Sequence, residues 1–137
     1  MGRILAIDYG LKRTGLAVTD PLRIIATALE TVATTGLIDF LTRYFQREVV
    51  DTVLIGMPKR LNNQDSEIAP QVRIFIVNFA KIFPDKPILQ VDERFTSSLA
   101  HQAMIDGGMK KKERRVKGNV DKISATIILQ SYMATQQ

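Results

Sequence analysis

The sequence predicts an α/β fold: a mixed five-stranded sheet in the order 3-2-1-4-5 with helices on both faces. Three observations predict it. Three short apolar, β-branched runs crowd the first 33 residues, joined by turns too short for a crossover, so they form an antiparallel meander. After residue 34 the pattern becomes helix–strand alternation, which adds parallel strands through right-handed crossovers beside the first strand. The two later strands, "DTVLIG" and "PILQVDE", lack polar alternation, as strands covered on both faces do.

Each element has its own signal. "RILAIDYG" is a buried strand ending in an acid and a glycine; "LKRTG" is a turn; "GLAVTDP" is a second strand, stopped by Pro21; "IIATALETV" is a third. In "TTGLIDFLTRYFQREV" the residues Leu37, Ile38, Leu41, Phe45 and Val49 follow helical spacing, with Thr34 or Thr35 available as a cap. "MPKRLNNQDS" is a loop, and "SEIAPQVRIFIVNFAKIF" a helix in which Pro70 belongs near the first turn. "TSSLAHQAMIDGG" reads as a short helix with a hydroxyl cap and a glycine stop. A final helix covers about residues 119–134.

Composition bounds the function. The 137 residues suit one domain, 1–137, and 45% hydrophobic with 24% charged is a globular balance. Cysteine is absent, which excludes a disulfide framework and a thiolate metal site. No apolar run approaches the roughly 20 residues of a membrane span, and Asp8 interrupts the N-terminus too early for a signal peptide, so a cytoplasmic location with no membrane is expected. The net charge is +5, and its placement says more than its size. Residues 110–122 carry Lys110, Lys111, Lys112, Arg114, Arg115, Lys117 and Lys122 against Glu113 and Asp121, and the rest of the chain balances. A patch of this kind is the electrostatic footprint of a polyanion, although charge alone fits a solvated loop equally well.

Acids stand where ligand sites gather. Asp8 follows Ile4, Leu5, Ala6 and Ile7 at the C-terminal end of the expected central strand, the edge at which open α/β sheets bind ligands. Asp92 and Glu93 end the last strand, and period-2 alternation sends them to opposite faces, so one of the pair shares a site with Asp8. Asp121 stands in the expected first turn of the last helix, where the small Ser124 and Ala125 let that end approach the sheet. Carboxylates without His or Cys suit Mg²⁺ or Mn²⁺, and two such ions support phosphodiester hydrolysis. Taken singly, each acid also has a structural reading: Asp8 capping a turn, Glu93 paired with Arg94 or Lys12, Asp121 favoured by a helix dipole.

Four segments together carry a resemblance. "ILAIDYGLKRTGLAVTD", "LIGMPKRLNNQDSE", "VDERFTSSLAHQAM" and "KGNVDKISATIILQSY" resemble, in order and along essentially the whole chain, the motifs of the YqgF family, also called RuvX. The resemblance implies a ribonuclease H-like domain related to Holliday junction resolvases. It further implies a cytoplasmic, metal-dependent nuclease that processes the 5′ end of precursor 16S ribosomal RNA. By position, Asp8, Glu93 and Asp121 match the family's acidic triad, with Asp92 a secondary candidate. Lys12, Arg13, Arg94 and Thr96 match its polar and basic positions around the site. Tyr9 stands where the family often has proline, and "KRLNNQDS" replaces a loop that commonly reads Leu-Asn-Met-Asp-Gly-Ser. Those departures bear on substrate fit before chemistry.

The expected partner is nucleic acid, either precursor ribosomal RNA or branched DNA, held by Lys110 to Lys117 and bound by a monomer or weak homodimer. A non-catalytic ribosome-assembly factor is the second class. A phosphate-binding "DYGLKRTG" turn of an actin-like ATPase is the third, although 137 residues accommodate only one lobe of that fold. His101, the one histidine, reads as a helix-face residue, and Arg47, Lys59 and Arg60 as solvated. Phe75, Phe79 and Phe83 recur at helical spacing and read as core, whereas Tyr9, beside Asp8, is placed to stack on a base.

Overall fold

The computed structural model describes residues 2–57, 63–92 and 117–135. Its elements run β1 (Arg3–Asp8), β2 (Arg13–Thr19), β3 (Ala26–Ala33), α1 (Leu37–Arg47), β4 (Val50–Met57), α2 (Asn63–Ile82), β5 (Ile88–Asp92) and α3 (Lys117–Thr135). The sheet order is β3-β2-β1-β4-β5. β1 pairs antiparallel with β2 and parallel with β4, so the first strand is central, as the meander and crossovers predict. The expected helix over 96–108 lies outside the described residues.

Two cores sandwich the sheet, and the strand period sorts residues between them. Leu5 and Ile7 of β1, Leu16 and Val18 of β2, and Val53, Ile55 and Met57 of β4 pack against α1 and α2 through Leu37, Leu41, Tyr44, Val72, Phe75 and Phe79. Ile4, Ala6, Ala17 and Leu54 face the other way, against Ala125, Ile128 and Leu129 of α3. Each fully buried Leu, Ile or Phe contributes about 1.5–3 kcal/mol. The α3 side is the thinner one: Ala6 pairs in register with Ala17, and these small residues let the helix lie close to the sheet.

The phenylalanines of α2 are core. Phe79 is fully buried and touches Phe75 and Phe83 at ring separations of 5.9 and 5.0 Å. Pro70 sits inside α2, two turns from its start, because the helix begins at Asn63 and residue 70 lies beyond the first turn. Val49 is not helical: α1 ends at Arg47, and Val49 is exposed on the way into β4. β3 likewise begins at Ala26, leaving Ile24 and Ile25 in an exposed turn. Asp20 organises that turn by accepting the backbone N–H groups of Ile25, Ile24 and Leu22, which hold its carboxyl below the usual carboxylate range. Arg23 takes a left-handed φ of 60° there and donates to Asp51 and to the Gly2 carbonyl, at 2.7 and 3.0 Å. These contacts tie the N-terminus to β4 at the end of the sheet remote from Asp8.

Candidate active site

β1, β4 and β5 run parallel, so their C-terminal ends share one edge of the sheet. Asp8 ends β1 there. It belongs to the same alternating set as Ile4 and Ala6, and therefore lies on the α3 face. Its neighbours across the sheet are both glycines. Gly15 of β2 is its register partner, and Gly56 of β4 stands one residue past the Ile7–Ile55 pair. At the level of Asp8, then, both adjoining strands carry glycine. Glycine inside a strand commonly marks where a ligand or another backbone comes close. The two glycines escape notice in the sequence because 41 residues separate them; only the register brings them to one level.

The turn after Asp8 is held by a closed circuit of hydroxyls. Thr34 Oγ1 donates to the Gly10 carbonyl oxygen at 2.6 Å. Its single proton is thereby committed, so in the 2.9 Å contact between the two hydroxyls Thr14 is the donor and Thr34 the acceptor. Thr14 Oγ1 in turn accepts the Gly10 N–H at 3.5 Å, and the Thr34 N–H reaches the Lys12 carbonyl oxygen at 3.0 Å. Thr14 is fully buried. A Cβ added at Gly10 would run into the Arg13 carbonyl oxygen, so the tight turn requires glycine. The expectation that Thr34 or Thr35 caps α1 is corrected here. A 3₁₀ turn over Thr34–Gly36 precedes the helix, Gly36 is its N-cap without a side-chain bond, and the Thr34 hydroxyl serves the Gly10 turn.

Lys12 and Arg13 are exposed around that turn, within reach of solvent-borne anions. Tyr9 is not on the Asp8 face. Alternation sends it to the α2 side, where its ring packs on Phe75 at 5.1 Å and burial pushes its phenol pKa up. It is a core aromatic rather than a platform for a base.

β5 carries its acid to the same edge. Asp92 is paired in register with Met57, whose side chain belongs to the α1/α2 core, whereas Val91 packs on the α3 side. In α3, Asp121 lies four residues before Ala125, which packs on the sheet. The helix starts at Lys117, earlier than expected, so Gly118 is helical and Asp121 falls in the second turn. The helix dipole acts mainly within the first turn, so it gives little reason for an acid at 121. Glu93, Arg94, Thr96, His101, Lys110, Lys111, Lys112, Arg114 and Arg115 lie outside the described residues. Among the described residues no three His, Cys, Asp or Glu side chains form a metal cluster.

An acid at the C-terminal end of the central strand in a mixed 3-2-1-4-5 sheet, with a closing helix on the acid's face, is the arrangement of ribonuclease H-like proteins. The structure of "T. thermophilus RuvC in complex with Holliday junction substrate" has this fold too, superposing with a TM-score of 0.60 over 99% of this chain and 96% of that one, at 18% identity. A family model described as "RuvX: Holliday junction resolvase" matches residues 2–135, and the chain belongs to that family. A relative from Flavobacterium johnsoniae is 54% identical over 100% of this chain and 99% of its own length. Another, from Phocaeicola vulgatus, is 56% identical with the same coverage. Both are named "Putative pre-16S rRNA nuclease". Among the described residues no helix is long and apolar enough to cross a membrane.

Proposed function

We propose that the chain is a cytoplasmic, divalent-metal-dependent nuclease that hydrolyses phosphodiester bonds at the 5′ end of precursor 16S ribosomal RNA. The observation that carries this reading is Asp8, on the α3 face at the end of the central strand, with glycine on both neighbouring strands. The names of the full-length relatives supply the substrate class.

The residues fit Mg²⁺ or Mn²⁺. Asp8 offers hard oxygen donors at a level where both adjoining strands carry glycine. Asp8, Glu93 and Asp121 are the proposed ligands. Asp92 is set aside because its register partner Met57 belongs to the opposite core. Two ions bound there would supply an activated water and stabilise the leaving oxygen. Asp8 itself would fix the position of the reacting phosphate relative to the sheet edge. Lys12, Arg13, Arg94 and Thr96 would orient the flanking phosphates, and Lys110 to Lys117 would attract the backbone without reading its sequence.

A second reading, cleavage of branched DNA, is favoured by the family description and by the junction-bound RuvC neighbour. One assay separates the two: purified protein with Mn²⁺, given a ribosomal RNA precursor or a four-way junction at matched salt. Cleavage of the precursor at its 5′ side is the expected result. Symmetrical nicking of the junction alone would move the assignment to resolution, and intact products from both substrates would overturn the enzymatic reading.

The hydroxyl circuit gives a subtler test. Thr34→Val keeps the shape and removes the donor to Gly10, loosening the turn between Asp8 and Lys12. Two lost hydrogen bonds cost about 1–3 kcal/mol of stability. A small displacement at the site lowers kcat by roughly tenfold with KM for RNA little changed. Thr34→Ser should restore both. A fall in Tm with unaltered kcat would assign the circuit to folding alone.

A further inference from the structure

The outward side of α1 carries a feature that the proposed chemistry does not use. Phe40, Arg43, Gln46 and Arg47 line a hollow of about 430 Å³, within the roughly 300–1,000 Å³ range of small-ligand sites. Its aromatic floor is preformed: Phe40 lies nearly parallel to Tyr44, with rings 6.1 Å apart and 9° between planes. The Arg47 guanidinium sits 5.5 Å from the centre of the Tyr44 ring. Two other arginines are neutralised, Arg3 by Glu48 at 3.2 Å and Arg23 by Asp51 at 2.7 Å. Arg43 and Arg47 form no ion pair among the described residues, although Asp39 lies one turn before Arg43. Glu48, the nearest acid beyond them in sequence, is turned to Arg3.

Direction adds to chemistry. α1 leaves the Asp8 end of the sheet, where the Thr34 N–H bonds to Lys12, and runs to the far end, where Val50 pairs with Arg3. Arg47, Arg43 and Phe40 therefore form a row leading towards Lys12, Arg13 and the acidic edge. Arg43 and Arg47 are one turn apart, about 6 Å along the axis, comparable to the step between successive phosphates of an unstacked strand. Two exposed guanidiniums in line with the half-buried ring of Phe40 suit a single-stranded nucleic acid, whose phosphates and base faces they match.

We propose that the outer face of α1 is a second nucleic-acid contact, holding the single-stranded segment of substrate that leads to the Asp8 edge, with a base on Phe40 and phosphates on Arg43 and Arg47. This rests on the nuclease reading above, and binding tests it apart from catalysis. The full-length protein in EDTA is titrated with single-stranded RNA of about a dozen nucleotides over a series of salt concentrations. For Arg43→Gln/Arg47→Gln, the slope of log K against log salt should fall by about 1.4, at roughly 0.7 per single-strand phosphate contact. Phe40→Leu should weaken binding by ~10-fold with the slope unchanged, as loss of base stacking does. Unchanged Tm values show that the variants are folded. If wild-type protein binds the RNA and all three substitutions leave affinity and slope untouched, the α1 contact is wrong and the nuclease reading stands. If wild-type protein binds no RNA at all, both fall.

Discussion

Asp8→Asn is expected to reduce cleavage by at least about 10³-fold while leaving RNA affinity and the fold in place. Asparagine has the size and planar shape of aspartate, and the register pair with Gly15 is a backbone contact, so β1 keeps its pairing. What changes is the carboxylate charge, including what it offers a divalent cation. Losing an outer partner of a metal ligand typically costs 10–100-fold, and losing a ligand itself should exceed that. Calorimetric or thermal measurement gives a readout independent of turnover. Mn²⁺ at 100 times its dissociation constant stabilises the species that binds it by about 2.7 kcal/mol. For a chain of this size that raises Tm by roughly 5–15 °C. Wild-type protein should show the shift and Asp8→Asn should not, with the two melting within a few degrees of each other in EDTA. Retained cleavage in the variant would remove the strand edge from the mechanism. A matching Mn²⁺ shift would place the metal elsewhere, and a large loss of Tm in EDTA would make Asp8 a structural residue.

The fold was legible because two periods in the chain agree with its topology. Continuous apolar runs mark the covered strands β1 and β4, and the spacing of Leu37 and Leu41, or of Phe75 and Phe79, marks the buried stripes of α1 and α2. Boundaries were less legible because tertiary contacts set them. Thr34 looks like a helix cap in sequence, yet the Gly10 carbonyl claims its hydroxyl from 24 residues away. Pro70 lies two turns into α2, where local chemistry alone would not put it. Asp8 stood out in the sequence because the cost of burying a carboxylate at a strand end demands a reason, and it does end the central strand. Gly15, Gly56 and Thr14 did not stand out, because register and a buried hydroxyl, not any motif of charge, bring them around Asp8 and its turn. Tyr9 shows the reverse error: adjacency to Asp8 in sequence means the opposite face in a strand, and its ring ends up against Phe75.

Neutralising Lys110, Lys111 and Lys112 together to glutamine should weaken RNA binding by more than tenfold near 150 mM salt and flatten its salt dependence, whereas Asp121→Asn should spare binding and abolish cleavage. The two expectations follow from where the charge excess and the acid stand. The entire surplus of +5 is confined to residues 110–122, so screening by salt acts on a local contact and not on a diffuse field. Three lost phosphate contacts lower the slope of log K against log salt by about 2–3. Asp121 falls inside that segment yet belongs to α3, one turn after Lys117 and one turn before Ala125. A carboxylate acting only on bare phosphates would repel them, so its removal would tighten binding. A carboxylate acting through a shared cation would leave metal-free binding unchanged and remove turnover together with Mn²⁺ affinity. Binding in EDTA, Mn²⁺ affinity and cleavage therefore separate the two roles. If the lysine and Asp121 variants lose affinity in parallel, the basic tract and the acid are one electrostatic surface, and Asp121 is no metal ligand.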